Sequence, residues 1–113
     1  MLDMADLKYL IDSSLAMYAR ELLNDSDEIF KDYKEGDSIQ DLLEENETLA
    51  TLTGDLEETI EAMGKLENWE LYTEQTEELY NISQDLNFDR IEGKEDFENT
   101  LNELIEIVRK III

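Results

Sequence analysis

The chain has 113 residues, the length of one ordinary domain, and its 31 acidic residues against 9 basic ones leave a net charge of −22. A field of that sign repels nucleic acid and anionic membrane and draws in basic surfaces, so direct nucleic-acid binding is not expected. With no cysteine and no histidine, disulfides, thiolate metal sites and histidine-based acid–base catalysis drop out.

A packed core is nevertheless affordable. Leu, Ile, Val and Phe supply 32 of the 113 residues, above the level at which high charge implies disorder. Proline is absent and glycine occurs only at 36, 54, 64 and 93, which favours helices. No apolar run approaches a membrane span, and Met1-Leu2-Asp3-Met4 lacks the basic and apolar regions of a signal peptide. The expectation is a cytoplasmic protein with no membrane contact. The many Ile and Asn residues point away from a halophile's surface as the source of the acidity.

In chain order, residues 5 to 24 repeat apolar side chains at Leu7, Leu10/Ile11, Leu15, Tyr18 and Leu22, the three-and-four spacing of an amphipathic helix. Asn24-Asp25-Ser26 offers an end to it. Asp25 with Glu28 has capping-box spacing, which would start a short second helix through Ile29, Phe30 and Tyr33. The alternative is one bent helix, because Leu22, Ile29 and Tyr33 keep the same phase. Asp37-Ser38 predicts an N-cap for a helix carrying Ile39, Leu42, Leu43, Leu49 and Leu52. Gly54-Asp55 reads as a joint, with Asp55 capping a helix that carries Leu56, Ile60 and Met63.

The apolar phase then shifts by roughly 100° at 3.6 residues per turn, from Leu56, Ile60 and Met63 to Leu71, Leu79, Ile82 and Leu86. A break between Gly64 and Asn68 accounts for it, followed by a helix from Trp69 to Leu86. A connector to Gly93 leads to a last helix from Lys94, with a seam at Phe97, Leu101, Leu104, Val108 and Ile111. Strand-like alternation is nowhere sustained. The predicted fold is all-α, a single domain over residues 1–113 built as a bundle of four to six helices.

Charge is concentrated in the middle of the chain. Between Glu35 and Asp89 there are seventeen carboxylates and one base, Lys65, a local net charge of −16. The bases Lys8, Arg20, Lys31 and Lys34 precede this block, and Arg90, Lys94, Arg109 and Lys110 follow it. Glu67, Glu70, Glu74 and Glu77/Glu78 recur every three or four residues, so on a helix they line one face at steps of about 4.5 to 6 Å. Aligned like charges cost about 0.2–0.5 kcal/mol per pair on a helix, and a surface shaped only for solubility would intersperse lysines. A row of carboxylates at this spacing presents to a basic groove what a phosphate backbone presents. Glu44, Glu45, Glu47, Asp55, Glu57, Glu58 and Glu61 extend the same candidate surface, and Trp69 stands among these charges as a candidate hot spot for a partner protein.

In size, helical reading, acidity and lack of Cys and His, the chain resembles the small acidic DNA-mimic inhibitors encoded by phages and mobile elements, including anti-restriction and anti-CRISPR proteins. The likeness covers the whole chain through composition, and no motif carries it. It implies a mode of action: occupation of the nucleic-acid groove of a host or defence enzyme, with a basic nucleic-acid-binding protein as partner, no cofactor and no catalysis.

Two other constellations compete. Asp85, Asn87 and Asp89 match the first three ligand positions of a calcium-binding EF-hand loop, with Asp96 at the last. Against it, Arg90 stands where the loop needs glycine, and Asp96 replaces the bidentate glutamate. E-x-x-E pairs at Glu44/Glu47, Glu58/Glu61, Glu74/Glu77 and Glu103/Glu106 look like the Mg²⁺ ligands of MazG-type pyrophosphohydrolases, but the matching E-x-x-D half is missing. A Mg²⁺ site with so few bases beside it would repel its own phosphate substrate. The remaining alternative is a helical adaptor or antitoxin-like partner that binds through an apolar and aromatic face, with acidity serving solubility. Ile111-Ile112-Ile113 cannot all face one core, so the C-terminus is free to dock on the bundle or join a homodimer seam.

Overall fold

The computed structural model describes residues 4–34, 36–66, 69–86 and 90–112. Among these, five helices and no strand are found, the all-α bundle expected. Helix α1 runs over residues 4–29, α2 is Ile39–Glu44, α3 is Glu47–Gly64, α4 is Thr73–Asp85 and α5 is Lys94–Ile112. One 3₁₀ turn, Trp69–Tyr72, leads into α4. Helix α1 packs against α3 and α5, and α4 packs against the same two from the other side. The four long helices therefore form a ring, with α1 diagonal to α4 and the short α2 lying against α3.

The expected stop at Asn24-Asp25-Ser26 does not occur: one helix runs on to Ile29 and ends before Tyr33, so neither a second helix nor a single helix through Tyr33 forms. Its one irregularity has an identifiable origin. Leu7, Ile11, Leu15 and Ala19 follow one another at four-residue steps, and each is at most 2% exposed. On an α-helix every such step overshoots a full turn by about 40°, which would carry the apolar line off the core. A π-helical stretch, Ile11–Ala16, has more residues per turn and absorbs that drift. Ser26 is then buried, and its hydroxyl donates to the Leu23 carbonyl at 3.0 Å, so the polar atom is satisfied within the helix.

Helix α2 begins as expected: the Ser38 hydroxyl accepts from the Asp41 amide at 3.2 Å. The joint expected at Gly54-Asp55 lies instead at Asn46. Its side-chain oxygen accepts from the Leu49 amide at 2.8 Å and its backbone is extended, φ −81° and ψ 110°. Asp55 is thus interior to α3 and caps nothing. Gly54 stays helical because Leu52 and Leu56, both fully buried, flank it. Burying each such side chain is worth about 1.5–3 kcal/mol, against about 1 kcal/mol for an internal glycine.

The break after Gly64 is found where expected, but Leu71 is not a core residue. It is 72% exposed, because residues 69–72 wind as a 3₁₀ turn, in which each residue turns further about the axis than in an α-helix. Leu79, Ile82 and Leu86 are buried as expected. Every seam residue of α5 is buried: Phe97, Leu101, Leu104, Val108 and Ile111. At the far end of the bundle, Phe30 and Phe97 lie 5.7 Å apart between ring centroids, and the Lys94 ammonium pairs with Asp27 there. That hydrogen bond, reinforced by the charges of Asp27 and Glu98, holds the Lys94 proton more tightly than an ordinary lysine does. It ties the end of α1 to the start of α5.

Candidate acidic binding surface

The helices turn almost all of the acidic block outward. Of its fourteen described carboxylates, twelve are exposed and two, Asp55 and Glu78, are half-buried. On α3 the inward line is Leu49, Leu52, Leu56, Thr59 and Met63, which leaves Glu47, Glu57, Glu58 and Glu61 outside. On α4, Leu79 and Ile82 face in, and Glu74 and Glu77 are exposed. Glu70 and Trp69 sit on the 3₁₀ turn, both exposed, with Trp69 at 46%. Glu44 and Glu45 are exposed where α2 ends. Glu67 lies outside the described residues. The expected stripe therefore has two parts, an α-helical one at Glu74, Glu77 and Glu78 and a 3₁₀ one at Glu70.

Few of these charges are neutralised. Within the block, Glu61 alone among the described residues is ion-paired, to Lys65 at 3.2 Å. Both partners are well exposed, so the pair is worth little. Outside the block, ion pairs join Lys94 to Asp27 and Glu98, and Arg109 to Glu106 at 3.1 Å.

The shape matters as much as the sign. The bundle is a rod 48 Å long and 21 by 20 Å across. Its radius of gyration of 14.6 Å exceeds the roughly 13 Å of a compact chain of this length. A net charge of −22 over 48 Å is one negative charge per 2.2 Å (48/22). A DNA duplex carries one per about 1.7 Å of axis.

Depressions between helices interrupt this surface, and two of them bring parts of the acidic block against a neighbouring helix. One lies between α4 and α5, about 180 Å³, where Glu78 and Asp85 meet Glu103 and Glu106 with Lys110 at the edge. Sequence periodicity placed Glu103 and Glu106 on one face of α5 but gave no sign that α4 would bring Glu78 to them. The other, about 260 Å³, lies between α1 and α3. There the Ser14 hydroxyl donates to Asp55 Oδ2 at 2.8 Å.

The competing constellations receive less from the fold. Glu44 and Glu47 belong to different helices on either side of the Asn46 cap, so that E-x-x-E pair has no common helical face. Asn87 and Asp89 of the EF-hand-like connector lie outside the described residues. Asp85 ends α4, and an Asp96 carboxylate oxygen accepts from the Glu92 amide at 2.9 Å. Among the described residues no group of carboxylates is gathered closely enough to hold a metal ion. No described helix is long and apolar enough to cross a membrane. Several large apolar side chains are exposed: Tyr9, Leu10, Met17, Leu71 and Tyr80 as well as Trp69. Comparison with family models, curated proteins and solved structures returns no match.

Proposed function

We propose that this chain is a non-enzymatic inhibitor that presents a phosphate-like acidic surface to the basic, nucleic-acid-binding groove of another protein. The observation that carries the reading is linear charge density: one net negative charge per 2.2 Å along a slender rod, close to that of duplex DNA. Its carboxylates stand on helices, so no backbone ordering is needed when they are gripped and the freedom lost is that of the side chains. The resemblance to phage-encoded anti-restriction and anti-CRISPR mimics supplies the biological setting, a contest for a defence or host enzyme in the cytoplasm.

The test is capture from host lysate at low salt on the immobilised protein, followed by elution. Captured proteins should be nucleic-acid binders, and added duplex DNA should release them. Retention indifferent to duplex contradicts the reading.

A second reading has its own observation. Trp69 and Leu71 on the 3₁₀ turn and Tyr80 on α4 are 46, 72 and 53% exposed, large apolar side chains of the kind an adaptor would use. Two variants separate the readings. Neutralising Glu70, Glu74, Glu77 and Glu78 to Gln abolishes capture under the first and spares it under the second, whereas Trp69→Ala has the converse pattern.

A further inference from the structure

The groove between α1 and α3 sets apolar side chains beside two carboxylates, with no lysine or arginine among the residues that line it. It is lined by Leu7, Leu10 and Ser14 from α1 and by Asp55, Glu58, Thr59 and Ala62 from α3. At about 260 Å³ it exceeds the roughly 150 Å³ of a cavity that holds benzene, so one long side chain fits. We infer that this groove, on the reading proposed above, is the anchoring subsite for an arginine of the partner, with the aliphatic stem over Leu7, Leu10 and Ala62 and the guanidinium at Asp55 and Glu58.

Three features select this occupant. Asp55 is half-buried, so a charge pair there is screened less than one on the open surface. Its carboxylate is also held by Ser14, which reduces the freedom lost on pairing. Ser14 belongs to the π-helical turn, a local geometry common at functional sites. Leu10, one residue before that turn, is 51% exposed and is the apolar surface a stem would cover. Arginine suits the site better than lysine because its planar fork meets a carboxylate bidentately and is more weakly hydrated. A second copy of the chain is opposed by the repulsion of −22 against −22.

The test is NMR titration of the full chain with a hexa-arginine peptide at low salt, with hexa-lysine as comparison. Saturable shifts of the Leu7, Leu10 and Ala62 methyls, tighter for arginine than for lysine, are expected. Asp55→Asn should weaken that site about tenfold while leaving the helical circular dichroism unchanged. Glu58→Gln, at an exposed position, should weaken it as well and guards against a folding defect at Asp55. Shifts confined to Glu70, Glu74 and Glu77, with the groove methyls unmoved, would overturn the subsite and leave the proposed function standing. Failure of the peptide to bind anywhere at low salt would overturn both. A concentration-dependent dimer that shifts the groove methyls without peptide would assign the groove to a second copy instead.

Discussion

Gly54 shows how one residue can mislead a sequence reading. Next to Asp55 it has the look of a helix boundary, yet the two leucines around it decide the matter, and α3 runs through. An added Cβ at Gly54 would meet nothing within 4 Å, and its backbone is not left-handed. Gly54→Ala should therefore stabilise the fold by about 0.5–1 kcal/mol, read as a rise of several degrees in Tm. An unchanged or lowered Tm would mean that α3 does bend there. Gly36 is the contrasting case: its φ of +97° in the turn from Lys34 to Asp37 needs a glycine. Leu71 departs from its expected place for a related reason. Its phase with Leu79 assumes unbroken α-helix, and a single 3₁₀ turn turns it outward.

At the scale of elements, what the sequence disclosed depended on how much apolar pattern each helix carries. The seam of α5 spans five buried positions and was readable residue by residue. So was the Ser38 cap, because a hydroxyl three residues before Asp41 has a local meaning. The joint at Asn46 is hidden in the sequence because Leu43, Leu49 and Leu52 keep a helical rhythm across it. Asn46→Ala should remove the cap bond to Leu49 and cost about 1 kcal/mol, with faster amide exchange confined to the first turn of α3. Uniform exchange across α3 would show that the cap bond contributes nothing. The π-helical turn in α1 was also invisible as such. Its trace in the sequence is the run of four-residue steps from Leu7 to Ala19, which signals a helix but not how its phase is corrected. The candidate surface divides in the same way: exposure of the glutamates follows from periodicity, whereas the bond from Ser14 to Asp55 and the depression that Glu78 and Glu103 both line depend on which helices become neighbours.

For the whole molecule, the defining feature is many like charges held at close to duplex density on a helical rod. That arrangement works against the fold through self-repulsion, and so calls for a reason in binding. The decisive measurement is the affinity for a captured partner as a function of salt, for the native chain and for the Glu70, Glu74, Glu77 and Glu78 to Gln variant. For a counterfeit polyanion, log affinity falls steeply and linearly with log salt, and the neutralised variant has a slope shallower by up to about 3.6 units, roughly 0.9 for each of four charges. Affinity that is flat with salt, and equal in the two proteins, would contradict that reading.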